Sequence, residues 1–138
     1  MGRARVLAVD PGTRRIGIAL SSPEGTMALP LQVIEAGPSA VPGIVALAKE
    51  YEAGEVVVGL PKRLDGSEGP AAAQARELAD ELRRHLDVTV HLLDERLTTA
   101  AADRALREAG AGGRRRRQTV DRSAAAMLLQ SYLDRRPQ

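Results

Sequence analysis

Cysteine, phenylalanine and tryptophan are all absent from this chain. Without cysteine there are no disulfides, no thiolate zinc sites and no cysteine nucleophile. With only two tyrosines, there is no aromatic platform for stacking single-stranded nucleic acid. Lysine is scarce as well, so arginine carries nearly all the positive charge. No apolar run approaches the ~18 residues of a membrane span. No basic-then-apolar leader opens the sequence, and the expected location is the cytoplasm, with no membrane partner.

What remains is one domain, residues 1–138, long enough for a real core. The formal net charge is only +2, although the sequence pI is about 9.5. The arginines are clustered: Arg114 to Arg117 form a block, and Arg14-Arg15, Lys62-Arg63, Arg83-Arg84 and Arg135-Arg136 form pairs. Guanidinium groups suit bidentate phosphate contacts. An arginine-preferring or heat-adapted genome would give the same bias.

Val6 to Asp10 reads as a strand apolar on both faces, as at the centre of a covered sheet. Pro11 holds Asp10 extended, so the carboxylate closes the strand. Ile16 to Leu20 is the hairpin partner, and Met27 to Glu35, weakened by Pro30, is an edge strand. Ser39 is expected to cap a helix to Tyr51 that buries Val41, Ile44, Val45 and Ala48 and ends at Gly54. Glu55 to Leu60 is the most β-prone segment. A polar loop to Gly69 turns at Asp65-Gly66. A helix from Pro70 to Leu86 shows Ala75, Leu78, Ala79, Leu82 and Leu86 on one face. Val88 to Leu93 is the last strand. Thr98 caps a helix to Ala109, Ala111 to Gln118 reads as a mobile loop, and Thr119 opens a final helix to Leu133. Three strands, then alternating helices and strands, indicate an α/β layer fold with a mixed sheet.

Ligands of such sheets gather beyond the carboxyl ends of the parallel strands. Asp10 ends the first strand, and Asp94 and Glu95 end the last. Asp121 shares a helical stripe with Ala125, Leu128 and Tyr132. Like charges brought together out of water repel. Divalent cations between them relieve this, and hard oxygen ligands favour Mg²⁺ or Mn²⁺. Two such ions can activate a water and stabilise the leaving oxygen of a phosphodiester. Each acid also has an ordinary role. Asp10 can accept from the turn amides, Glu95 can pair with Arg96 or Arg122, and Asp121 can sit in a helix dipole. Asp94 competes with Glu95, because strand neighbours point opposite ways. His85 and His91 have no partner at metal-ligand spacing.

Four blocks then resemble a known family. They are Val9-Asp10-Pro11-Gly12 with Arg15-Ile16-Gly17-Ile18-Ala19; Val58-Gly59-Leu60-Pro61 with Asp65-Gly66-Ser67; Asp94-Glu95-Arg96-Leu97-Thr98-Thr99; and Val120-Asp121 with Ala124-Ala125 and Leu128 to Leu133. Together they resemble the YqgF-type proteins, a Holliday junction resolvase-like and pre-16S rRNA nuclease branch of the RNase H-like superfamily. The resemblance implies an RNase H-like α/β fold, a five-stranded mixed sheet with helices on both faces. It implies Asp10, Glu95 and Asp121 as metal-binding catalytic acids, and a role in maturing the 5′ end of the small-subunit ribosomal RNA precursor. Many members carry lysines before the last helix, where this chain has Arg114, Arg115, Arg116 and Arg117.

The expected chemistry is phosphodiester hydrolysis with two Mg²⁺ or Mn²⁺ ions held by Asp10, Glu95 and Asp121. Gly12 and Gly17 would leave room for the phosphate backbone. Arg14, Arg15, Lys62, Arg63, Arg96, Thr98 and Arg114 to Arg117 would hold it. The expected partners are RNA or DNA and ribosomal precursor particles, met by a monomer or homodimer. Two other readings compete. An actin-like ATPase shares the Asp10 to Thr13 loop but needs a second domain. A non-catalytic ribosome-assembly or nucleic-acid-binding protein would bind unchanged when the three acids are replaced.

Overall fold

In the computed structural model, residues 4–97 and 114–136 are described, with the backbone alone at 97 and at 114–123. The strands are β1 (Arg5–Pro11), β2 (Arg15–Ser21), β3 (Ala28–Glu35), β4 (Ala53–Leu60) and β5 (Thr89–Asp94). The helices are α1 (Ala40–Glu50), α2 (Pro70–His85) and α3 (Arg114–Arg135), and a single 3₁₀ turn, Glu95–Leu97, follows β5. The helix expected from Thr98 to Ala109 lies outside the described residues. No helix among the described residues is long and apolar enough to cross a membrane.

The sheet is five-stranded and mixed, in the order β3-β2-β1-β4-β5. β1 pairs antiparallel with β2 and parallel with β4, and β5 is parallel to β4. This is the expected meander followed by crossovers. Pro30 does fall on the edge strand, where the pairing skips a residue between Ile18 and Ala19. A bulge on an edge is a place where a missing N–H costs little.

Two cores flank the sheet, and their membership shows how each strand faces. Leu7, Val9, Val56, Val58 and Leu60 pack under α1 and α2 with Ile44, Ala75, Ala79 and Leu82. Val6, Ala8, Ala19 and Val57 pack under α3 with Ala125, Leu129 and Leu133. By strand alternation, Asp10, Gly17 and Gly59 therefore lie on the α3 side.

Side-chain bonds give α3 its direction. Gln130 accepts from the Ala28 amide at 2.9 Å and donates to the Thr26 carbonyl at 3.0 Å, at the start of β3. Tyr132 donates to Glu55 Oε2 at 2.8 Å, and Arg136 reaches Glu55 Oε1 at 3.4 Å, near the start of β4. His91 Nε2 lies 2.9 Å from Glu55 Oε2, the oxygen that Tyr132 bonds. The C-terminal end of α3 is thus fastened to the edge where β1, β4 and β5 begin. Its earlier turns run toward the edge where they end.

Burial, followed by the bond to Glu55, pushes the Tyr132 phenol from an ordinary 10.0 up to about 12. A raised folded pKa contributes stability that is complete below the unfolded value and lost as pH rises through the folded one. Tyr132→Phe is expected to lower stability by about 1 kcal/mol at neutral pH. It should also remove the part of the stability loss between about pH 10 and 12 that this phenol causes. Urea midpoints measured across that range test both effects.

Three local expectations are corrected. The final helix opens at Arg114 rather than Thr119, so Arg114 to Arg117 are helical and not a loop. Arginine is a good helix former, and no glycine or proline interrupts 114–120. Ser39 holds the N-cap position of α1 but makes no side-chain cap bond, because its backbone is itself helical. Helix α1 is followed by Glu52 at φ 52°, not ended by Gly54. Gly54 belongs to β4, where a Cβ would lie 2.4 Å from that of Ala4.

Candidate active site

The sheet brings two buried carboxylates to one edge. Asp10 is 6% exposed and Glu95 2%. Asp10 pairs across β2 with Gly17. On its other side the register aligns Val9 with Val58, which places Gly59 beside Asp10. The acid therefore stands between two glycines on the α3 face, with no side chain on either flank.

Glu95 fills one of those gaps. A Cβ on Gly59 would meet Glu95 Oε1 at 2.6 Å, with Cδ and Cγ at 3.1 Å. The carboxylate thus lies over β4 beside Asp10's strand. Neighbouring strands are ~4.8 Å apart, so the two acids are roughly one strand spacing from each other.

Asp94 does not compete for this position. His91 touches the Tyr132 ring, and Leu93 packs into the core under α3. Alternation then gives Glu95 the same face and Asp94 the opposite one. Arg96 grips Asp94 through Nη2 at 2.8 Å, Nε at 3.1 and 3.2 Å, and its backbone amide at 2.9 Å. Lys62 Nζ stands 4.0 Å away. The Arg96 hydrogen bonds hold the Asp94 carboxyl below its ordinary 3.8. Its stabilising effect is complete above that value and is lost as pH falls through the lower folded one.

Asp121 lies on α3 one turn before Ala125, on the part of the helix that runs toward this edge. Its side chain lies outside the described residues. Among the described residues no three His, Asp or Glu side chains form a group able to hold a metal ion. Asp10 and Glu95 are the buried carboxylates among them. Both are hard oxygen donors, and the glycine at position 59 lets the Glu95 carboxylate lie beside Asp10. That chemistry fits a Mg²⁺- or Mn²⁺-sized ion.

The expected substrate contacts divide. Arg14 and Arg15 are exposed on the turn after β1. Arg15 lines a groove of about 730 Å³ that also takes in Asp10, Gly12, Thr13 and Gly17. Glu77 and Glu81 of α2 line the same groove. Lys62 and Arg63 follow β4 at the same edge. Arg96 is committed to Asp94. The side chains of Arg114 to Arg117, and all of Thr98, lie outside the described residues. Gly12 serves its own turn: a Cβ there would lie 2.4 Å from the Arg15 carbonyl oxygen.

Gly59 is the contributor that sequence reasoning passed over. Its signal was present, since a glycine inside the most β-prone segment marks close approach of something else.

Residues 4–135 match the family described as RuvX: Holliday junction resolvase. A protein of Thermobifida fusca (strain YX) named "Putative pre-16S rRNA nuclease" is 49% identical over 136 residues, covering 93% of this chain and 86% of that one. A protein of the same name from Nocardia farcinica (strain IFM 10152) is 44% identical over 144 residues, covering 98% and 80%. Among solved structures, T. thermophilus RuvC in complex with a Holliday junction substrate aligns over 96% of both chains, with a TM-score of 0.57 at 14% identity. That likeness is one of fold, the RNase H-like α/β fold expected from the four sequence blocks. On the family match and the identity of these relatives, the chain belongs to the RuvX Holliday junction resolvase family.

Proposed function

We propose that this protein is a metal-dependent nuclease that hydrolyses phosphodiester bonds of nucleic acid and serves in 5′-end maturation of pre-16S ribosomal RNA. The observation that carries this reading is the Glu95 carboxylate lying over Gly59, beside Asp10, both buried at the carboxyl edge of the parallel strands. Two desolvated acids side by side are costly unless a cation or proton compensates them. Asp10, Glu95 and Asp121 would hold the Mg²⁺ or Mn²⁺, two ions in all. When bound, the metal supplies activation of water and relief of charge on the leaving oxygen.

The chain's own part is placement. Gly17 and Gly59 put no side chain beside Asp10, and Gly59 admits the Glu95 carboxylate. Arg14, Arg15, Lys62 and Arg63 attract the flanking phosphates, giving salt-sensitive binding with little sequence preference. The relatives' names support ribosomal RNA as the physiological substrate, and the family description supports a branched DNA.

The test is a cleavage assay with Mn²⁺, Mg²⁺ or EDTA on single-stranded RNA, single-stranded DNA and a four-way junction. Cleavage that EDTA stops is the expected result. Binding without cleavage of any of the three, in either metal, would replace this reading with that of a non-catalytic binding protein.

A further inference from the structure

Glu95 holds its carboxylate over Gly59, yet the sheet stops holding its backbone one residue earlier. The last pair between β4 and β5 is Leu60 with Asp94. Among the described residues β5 is also the edge of the sheet, so no strand lies on its other side. From Glu95 the chain enters a single 3₁₀ turn, Glu95–Leu97. One such turn has poor hydrogen-bond geometry and holds itself weakly. Something outside the ladder has to fix where the carboxylate goes.

The two neighbours of Glu95 meet each other on the opposite side of the backbone. Asp94 Oδ1 accepts from the Arg96 amide at 2.9 Å, the bond with which an aspartate caps the start of a turn. Both Asp94 oxygens also accept from the Arg96 guanidinium: Oδ2 from Nη2 at 2.8 Å and from Nε at 3.1 Å, Oδ1 from Nε at 3.2 Å. This bracket closes around one residue, and that residue is Glu95. With the flanking side chains joined on one face, Glu95 is left the other, where it is buried.

The bracket is anchored to the strand that bears Gly59. Arg96 Nη1 donates to the Leu64 carbonyl at 3.4 Å and lies 3.2 Å from where a Cβ on Gly66 would stand. Leu64 and Gly66 belong to the continuation of β4. Their turn is closed by Gly66 N–H on the Arg63 carbonyl at 2.8 Å and by Arg63 N–H on the Ser67 carbonyl at 2.9 Å. Glu95 is therefore located against β4 twice, by the Leu60–Asp94 pair before it and by Arg96 after it. A bidentate arginine–carboxylate pair whose carboxylate side chain is only 18% exposed is a fixed joint, as an exposed single contact is not.

Resting on the nuclease reading above, we propose that Asp94 is a positioning residue for the reaction: by bracketing Arg96 it sets the turn that delivers the Glu95 carboxylate over Gly59 to Asp10. It acts through Glu95 and touches neither substrate nor metal. Arg96 is the other half of the joint and not a phosphate anchor.

The test compares Asp94→Ala, Arg96→Ala and the double variant in three measurements. These are single-turnover cleavage in Mn²⁺, substrate affinity in EDTA, and the rise in melting temperature that Mn²⁺ gives. Each single variant is expected to cleave about a hundredfold more slowly, at unchanged affinity and with a smaller Mn²⁺ rise. The double variant should be no slower than either, because the two halves make one device. Glu68→Ala cuts the two-bond pair between Glu68 and Arg76 on the same loop and should keep the wild-type rate. Asp94→Asn, equal in size and still able to accept from the Arg96 amide, serves where Asp94→Ala does not fold, and should also be slower at unchanged affinity. A wild-type rate in the folded Asp94 variants, a loss in Arg96→Ala that falls on affinity, or an equal loss in Glu68→Ala overturns the positioning role and leaves the nuclease standing. A wild-type protein that cleaves no substrate overturns both.

Discussion

Asp10→Asn is expected to abolish metal-dependent cleavage, with a loss on the order of a thousandfold or more, equivalent to about 4 kcal/mol of transition-state stabilisation. The substitution keeps the shape, removes one charge and puts an N–H donor where a carboxylate oxygen accepted. The side chain stays the same size, so the fold should survive. The metal response is the sharper readout. Mn²⁺ raises the melting temperature of a protein whose native state binds it. That increment is expected to shrink to near zero in Asp10→Asn. Full activity in this variant would sink the assignment of Asp10, and an unchanged metal increment would detach Asp10 from the metal.

Gly59→Ala is expected to be nearly as damaging, through a residue that carries no chemistry. The new methyl would sit 2.6 Å from Glu95 Oε1 and 3.1 Å from its Cδ and Cγ. Glu95 is 2% exposed and has little room to retreat. The carboxylate must swing off β4, away from Asp10. Misplacing a reacting group by about 1 Å can cost on the order of a hundredfold in rate. Overpacking should also lower stability by about 1–3 kcal/mol. The loss should fall on the rate of the bound complex and leave substrate affinity close to normal, because the basic turns are untouched. Adding Glu95→Asp, which shortens the side chain, is expected to restore stability and not rate. Urea midpoints and single-turnover cleavage separate the two. Wild-type rates in Gly59→Ala would mean that the position of Glu95 over β4 is immaterial.

Much of this was legible before any coordinates. The run Val6 to Val9 and the β-branched Val56 to Val58 announced buried strands, and Pro11 announced that Asp10 would close the first of them. The mixed sheet followed from the order of the elements. The choice between Asp94 and Glu95 was not legible, because His91-Leu92-Leu93 lacks a clean polar-apolar alternation. Packing against α3 decides it: Leu93 enters the core there and His91 meets Tyr132. The start of α3 was not legible, because Gly110, Gly112 and Gly113 stand directly before four arginines whose helix propensity carries the helix back to Arg114. Gly12, read as clearance for a ligand, also clears Arg15's own carbonyl. A sequence shows that a glycine is needed, but not which neighbour needs it.

The sheet order has a bearing on how the protein is made. β1 emerges first, yet its parallel partner β4 follows only after two further strands and a helix, and Glu95 later still. Until those distant segments dock, Asp10 and Glu95 are two solvated acids on a flexible chain with no shared ion to hold. On the nuclease reading, catalytic competence is withheld from every incomplete copy. A nascent chain that has not yet released Glu95, or one nicked before it, carries the first acid and no weapon. On that reading, the ordering would shield the RNA of the machine that makes the protein until the chain is nearly whole.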